Sequence, residues 1–259
     1  MVIPFELTNP LKGEPTIITI SWKKNRWKIN LTCDIKLTLQ IPKLEIKRQA
    51  GIDRGVRKLF ANSEGWKHKN PKYWEGIEKN YIALQKSLSR KVKGSNNWKK
   101  IKSEMTRMGQ NISNRMRDLN HKLSRKLVNK FDLIAFEKLN TAEMVKKVDK
   151  KGEKREVGKY TADGMLKACW TQLAQFTTYK VQETGKWVEF VNPHNTSKRC
   201  SKCGEINEKL KDEEIFVCPN SNCDNELDRD VNAAKNILWK IQVKLGLDKR
   251  LGTLFSERI

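Results

Sequence analysis

Four cysteines stand in two pairs. Cys200 and Cys203 form a C-x2-C, Cys218 and Cys223 a C-x4-C, and fourteen residues separate the pairs. Four thiolates in two pairs can close a tetrahedron around one zinc ion, with the intervening chain folded as a short hairpin, a zinc ribbon. Gly204 follows the first pair and permits the tight turn that such a knuckle needs. Four protein ligands leave no place for a reactive water, so the spacing predicts a structural site. A redox C-x2-C would not need the second pair. The first ten residues lack a basic start followed by an apolar stretch, so no export signal is expected, and free thiols are expected rather than a disulfide framework. The other two cysteines, Cys33 and Cys169, lie in apolar surroundings and are expected in the core.

Acidic residues are scarce where the chain is most informative. Asp53 follows Gly51-Ile52 at a strand end, Glu137 caps the apolar run Leu133 to Phe136, and Asp228 and Asp230 precede the last helical stretch. A carboxylate at a buried strand end is costly unless a cation compensates it. Three of them converging from separate elements would repel, and divalent cations resolve that repulsion. Two ions about 3.5–4 Å apart make a phosphodiester-cleaving centre, one activating water and the other stabilising the leaving oxygen. Each acid also has an ordinary reading: Asp53 as a turn residue, Glu137 ending a strand into solvent, Asp230 as a helix N-cap. Taken singly, the residues leave both readings open.

These groups need elements to hold them. Residues 16–48 alternate and are β-branched, predicting a hairpin or small meander that turns near Asn25. The stretch 51–61 reads as a strand, a turn and the start of a second strand. From 74 to 130, apolar residues recur at steps of three and four (Tyr81, Leu84, Leu88, then Ile101, Met105, Met108, Ile112, Met116, Leu119, Leu123, Leu127). Gly94 to Asn97 interrupts them, predicting two antiparallel helices. Phe131 to Phe136 reads as a buried strand, 141–159 as a polar loop, 165–181 as a helix ended by Gly185, 187–191 as a strand and 231–245 as a helix. Strands alternating with helices predict an α/β layer fold.

Charge identifies the partner class. The 259 residues carry 53 Lys and Arg against 30 Asp and Glu, a net charge of +23, which implies a polyanionic partner, nucleic acid first. The charge is concentrated. Lys86, Arg90, Lys91, Lys93, Lys99, Lys100, Lys102, Arg107, Arg115, Arg117, Lys122, Arg125, Lys126 and Lys130 face only Glu104 and Asp118 in their stretch, a net +12 over 45 residues. All but Lys130 are taken as candidate phosphate contacts, with a solvated helix face as the alternative. Trp22, Trp27, Trp66, Trp74 and Trp98 could stack on bases, whereas Trp170 and Trp239 are expected in the core. His68, His121 and His194 are too scattered to be ligands. No apolar run approaches the ~20 residues of a membrane span, so a membrane-spanning protein is not expected.

In order along the chain, GIDRGV, LIAFEKLN, TSKRCSKCG, CPNSNC and LDRDVNAAKNIL resemble the TnpB (OrfB-type) proteins of insertion sequences and the related compact type V CRISPR nucleases, over roughly residues 15–245. The resemblance implies a RuvC-like, RNase H-type nuclease fold with an inserted zinc ribbon, preceded by a partial β-rich segment derived from a barrel. It places the catalytic acids at Asp53, Glu137 and Asp230, with Asp228 at a frequent but non-catalytic position. It implies an RNA-guided DNA endonuclease of a mobile element, often described as a transposase, with one structural Zn²⁺, two catalytic Mg²⁺, and DNA and a guide RNA as partners. The location implied is cytoplasmic, in a prokaryote or with a viral or mobile-element origin.

The implied division is 1–48 as the partial barrel segment, 49–195 as the nuclease core with its basic helical hairpin at about 74–130, 196–226 as the ribbon, and 227–259 as the last nuclease motif and C-terminal helix. Only 52 residues precede Asp53, so the recognition region of the family is expected to be largely absent, supplied by a partner or longer homologue if at all. The rival expectation is a non-cleaving RNA- or DNA-binding remnant or repressor. A strand-transferring transposase gains nothing from the residues.

Overall fold

The computed structural model describes residues 10, 11, 13–23, 26–34, 46–139, 169–211 and 213–247. The expected loop 141–159, the start of the helix expected at 165 and the strand residues expected at 35–41 lie outside them. The chain divides into two compact units, Met1–Pro42 and Lys43–Ile259.

In the first unit, β1 (Glu14–Lys23) pairs antiparallel with β2 (Arg26–Asp34). Alternation puts Ile18, Ile20 and Trp22 opposite Leu31, Ile29 and Trp27, and the two indoles meet edge to face at 5.0 Å. None of its described residues is buried. Cys33, expected in a core, is therefore only half-buried here: two strands alone cannot enclose a side chain.

The second unit is built on a five-stranded sheet in the order β5-β4-β3-β6-β7. Its strands are β3 (Gln49–Asp53), β4 (Lys58–Asn62), β5 (Lys67–Lys69), β6 (Leu133–Glu137) and β7 (Trp187–Val191). The first three form an antiparallel meander, while β3, β6 and β7 run parallel. Parallel pairing requires crossovers, and the helices supply them. Helices α1 (Glu78–Ser89) and α2 (Asn96–Lys130) separate β5 from β6, and α3 (Trp170–Thr184) joins β6 to β7. The last helix, α4 (Arg229–Lys244), follows the cysteine segment.

Period-two alternation divides the sheet residues between two cores. Ala50, Ile52, Ile134 and Phe136 face one side, where Leu123, Leu127 and Val128 of α2 and Leu173, Ala174 and Val181 of α3 cover them. Leu133, Ala135 and Val191 face the other side, against Ile237 and Ile241 of α4. The result is an α/β/α sandwich, and each fully buried Leu, Ile or Phe contributes about 1.5–3 kcal/mol.

Helix α1 ends at Ser89 with Arg90 as its C-cap, Gly94, with φ +91°, lies in the turn that follows, and the Ser95 hydroxyl accepts from Trp98 N at 3.2 Å to cap α2. Burial along α2 begins only at Ile112. The earlier turns, with Ile101, Met105 and Met108 half-buried, extend the helix beyond the sheet. Gly185 closes α3 in the left-handed conformation. Cys169 sits at the N-cap of α3, half-buried against the core, rather than on the helix face.

Candidate active site and metal centre

Asp53 ends β3 and Glu137 ends β6, on neighbouring parallel strands. Alternation turns both to the side that α4 covers, because they share parity with Gly51 and with Leu133 and Ala135. Gly51 lets α4 approach. A Cβ built there would lie 2.0 Å from the Ala234 carbonyl oxygen and 2.7 Å from Leu238 N, so only glycine allows this seat. The first turn of α4 thereby brings Asp230 beside the strand ends.

Burial raises the Asp53 carboxyl well above its ordinary value, and the charges of Glu137 and Asp230 raise it further, while Arg229 and Arg54 act against them. Glu137 is also raised, chiefly by burial, against the opposing effects of the Thr196 hydroxyl, Arg54 and Lys240. The Thr196 hydroxyl donates to Glu137 Oε1. The three acids thus share one electrostatic neighbourhood.

The ordinary reading of Asp230 as the helix N-cap does not hold. Asp228 is the N-cap of α4, its Oδ1 accepting from Asp230 N at 3.1 Å and Val231 N at 3.2 Å. Asp230 is therefore free of capping duty. Lys58 Nζ lies 2.8 Å from Asp228 Oδ2 and 2.9 Å from Asp230 Oδ2, and Lys67 Nζ lies 2.8 Å from Asp228 Oδ2. Asp228 is partly buried, which alone would raise its pKa. The hydrogen bonds from Lys58 and Lys67 prevail and hold it down at about 2.

Sequence reasoning does not single out Arg54. It is 7% exposed, donates to the Trp170 carbonyl at 3.1 Å and to the Glu137 carbonyl, and lies 5.3 Å from the centre of the Phe136 ring. Burial lowers it to about 10, against the pull of Glu137 and Asp53, so it stays a cation at neutral pH. Sequence reasoning also misses Asn232 and Asn236. Asn232 accepts from Ser201 N at 2.9 Å and donates to Arg199 O at 2.7 Å, and Asn236 donates to Thr196 O at 2.9 Å. Both are buried and fasten the segment preceding and entering the cysteine knuckle onto α4. Their signal is the i, i+4 spacing of two asparagines on an otherwise apolar helix face.

The four cysteine sulfurs all lie within 4.8 Å of one another. Cys200 and Cys223 are 3.9 Å apart, and Cys203 and Cys218 3.4 Å. A tetrahedron with Zn–S bonds of about 2.3 Å has sulfurs roughly 3.8 Å apart, so the set fits a metal of that size. Burial works against the Cys200 thiolate, but amides of Cys203 and Lys202 and the Asn225 side chain outweigh it and bring Cys200 to about 6. Cys218 is pushed up to about 12, by burial first and the adjoining sulfurs next. Among the described residues, the expected hairpin within the chain between the pairs is not what forms: β8 (Ile215–Val217) and β9 (Glu226–Asp228) pair on either side of Cys218 and Cys223, and β9 leads directly into α4.

The basic residues lie where the periodicity puts them. Lys86 is on α1, and Arg90, Lys91 and Lys93 follow in the turn. Lys99, Lys100, Lys102, Arg107, Arg115, Arg117, Lys122, Arg125 and Lys126 are on α2, all exposed except the half-buried Arg125. Several are engaged within the chain: Lys102 over Trp98, Arg115 over Tyr73, Lys122 with Asp118 and Arg125 with Glu183. Trp66 packs on Phe60 and Trp74 on Tyr81. Trp170 is buried as expected, while Trp239 is half-buried beneath the Arg199 guanidinium.

The mixed α/β sheet, with the cysteine knuckle beside it, is a fold of the RuvC-like, RNase H type, and it carries candidate carboxylates at adjacent strand ends and on the closing helix. Comparison with known proteins supports that fold. Residues 32–148 match the family described as "Probable transposase" (OrfB of IS605), and residues 170–237 match the Cas12f1-like TNB domain. A Streptomyces pristinaespiralis protein is 32% identical over 88% of this chain and 54% of its own length. The InsQ protein of Escherichia coli K12 is 30% identical over 85% of this chain and 55% of its own. Both are named, provisionally, as RNA-guided DNA endonucleases. A Cas12f1–sgRNA–target DNA complex contains a chain of the same fold, with a TM-score of 0.50 at 20% identity over 85% of this chain and 55% of that one. The chain is similar to the TnpB (OrfB-type) proteins over these residues, and it spans about half the length of the curated relatives it matches.

Proposed function

We propose that this chain carries the nuclease part of an RNA-guided DNA endonuclease of mobile-element type, with Asp53, Glu137 and Asp230 as its metal-binding acids. The observation that carries this reading is the seating of α4 on Gly51, which puts Asp230 close enough to Asp53, beside Glu137, to raise its pKa. The donor set is all carboxylate oxygen, the chemistry that suits Mg²⁺. Two such ions would supply an activated water and a stabilised leaving oxygen.

The chain's own residues prepare this centre. Thr196 orients the Glu137 carboxylate, Arg54 holds the Glu137 carbonyl, and the Asp228 cap keeps Asp230 free for metal. Lys58 stands where it offsets the charge of Asp230 and can yield that carboxylate to a stronger cation. The exposed lysines and arginines of α1 and α2 would hold phosphates of a guide RNA and of target DNA, as the resemblance implies. The cysteine set would hold one structural Zn²⁺. On this reading residues 1–48 are a barrel-derived segment, 49–195 the nuclease core, 196–226 the ribbon and 227–259 the closing motif.

The test is cleavage of single-stranded and duplex DNA by the purified protein with its co-purified RNA, in Mg²⁺ and in EDTA, beside Asp53→Ala. Cutting that needs the metal and disappears in the variant supports the reading. Tight binding with no cutting by either form overturns it in favour of a nucleic-acid-binding protein.

A further inference from the structure

On the α3 side of the strand ends lies a cavity of about 290 Å³ that one of the acids, Glu137, borders. Arg54 and Glu137 border it at the sheet, and Gln175, Tyr179 and Gln182 of α3 and Phe190 of β7 form other parts of its wall. Tyr179 and Phe190 are 37% and 39% exposed, so their rings can be reached from solvent. Most of the lining is apolar, with amides from the two glutamines among it. Arg54 is more than nine-tenths buried, yet its Nε–H has no hydrogen-bond partner among the described residues. A buried donor without a partner costs free energy unless a ligand or water completes it.

We propose that this cavity seats one unstacked nucleobase of the DNA strand whose phosphate reaches Asp53, Glu137 and Asp230. The proposal rests on the nuclease reading and names a feature of its substrate. The volume lies at the small end of ligand pockets, which run from roughly 300 to 1,000 Å³, and suits one planar base rather than a base pair. Aromatic rings at the wall give a base of any identity a stacking surface. The glutamine amides can donate to or accept from a base edge, and the Arg54 cation at the cavity wall favours the electron-rich edge of a base. Glu137 belongs to both the cavity and the acid cluster, so a base held here fixes the register of the chain passing the acids. A paired base cannot enter without leaving its stack, so the site favours strands already separated.

The test uses the cleavage-inert Asp53→Ala chain and a short single-stranded oligodeoxynucleotide. A single 2-aminopurine, and separately a single abasic residue, is moved along the strand one position at a time. The expected result is one position, or two neighbours, where emission changes on binding and where the abasic residue weakens binding by about tenfold. Phe190→Leu should abolish that positional effect and leave the other positions as they were. Gln182→Ala, on the exposed face of α3, should reduce it with an unchanged melting temperature, which separates loss of the site from loss of the fold. A flat profile, absence of single-strand binding, or a Phe190→Leu loss spread evenly over all positions overturns the proposal. Cleavage by the unmodified chain in Mg²⁺ with a flat profile removes the cavity and keeps the nuclease. A peaked profile without cleavage keeps the cavity and removes the nuclease.

Discussion

Asp228 and Asp230 stand two residues apart and do different work. Asp228 spends its carboxylate on the helix amides and on Lys58 and Lys67, while Asp230 in the first turn has no capping duty and pairs with Lys58. The acids also set a pH dependence whose sign can be worked out. Asp53 and Glu137 are raised in the folded protein above their ordinary 3.8 and 4.5. The native state then binds more protons than the unfolded one above these values, and their contribution to stability is lost as pH rises through the raised folded values. A divalent cation reverses that loss. Mg²⁺ should therefore raise the melting temperature more at pH 8 than at pH 5, and Asp53→Asn should stabilise the metal-free protein at pH 8 while flattening the Mg²⁺ response. Thermal melts of both proteins at the two pH values decide this. Asp228 runs the opposite way: its contribution is present above 3.8 and lost as pH falls towards about 2. Thr196→Val should leave the fold intact and lower cleavage by roughly 10–100-fold, the usual effect of removing a group that orients a metal ligand, as read from single-turnover rates against Mg²⁺ concentration.

Gly51 governs how two elements meet. Gly51→Ala would drive a methyl into the backbone of α4, 2.0 Å from the Ala234 carbonyl, and neither strand nor helix backbone can give way cheaply. The expected cost is about 3 kcal/mol or more, measured by urea unfolding, together with loss of cleavage, because Asp230 moves with the helix. The ribbon joins the same helix through β9 and through Asn232 and Asn236. Chelation of the bound metal, or Cys218→Ser, should unfold the ribbon first and free the start of α4. Hydrogen exchange should rise across 197–230 while α2, α3 and the central strands stay protected. Uniform loss of protection would show instead that the metal holds the whole unit together.

For the whole molecule, a charge of +23 would set the strength and the salt dependence of the proposed nucleic-acid binding. The exposed turns of α2 before Ile112 bury no residues and carry Lys99, Lys100, Lys102 and Arg107. Replacing Lys99, Lys100 and Lys102 by alanine should weaken binding to all sequences alike. It should also flatten the plot of log affinity against log salt for single strands by about 2, at ~0.7 for each phosphate no longer neutralised. Anisotropy titrations over a range of salt concentrations measure both. An unchanged slope would place the phosphate track elsewhere.

The cysteine spacing, the period-two strands, the i, i+3, i+4 helix faces and the acids at element ends were legible because each is a local pattern. The chain alone therefore determined the α/β layering, the pairing of the four cysteines and the standing of the candidate acids at element ends. It could not show which aspartate caps α4, since Asp228 and Asp230 are equivalent until Lys58 and Lys67 arrive from the meander. Nor could it show that Arg54 is a buried cation, that Gly51 is the seat of a helix nearly two hundred residues away, or that Tyr179 and Phe190 wall a cavity beside Glu137. Those facts depend on contacts between distant segments, which arise only when the sheet and its three covering helices close on one another.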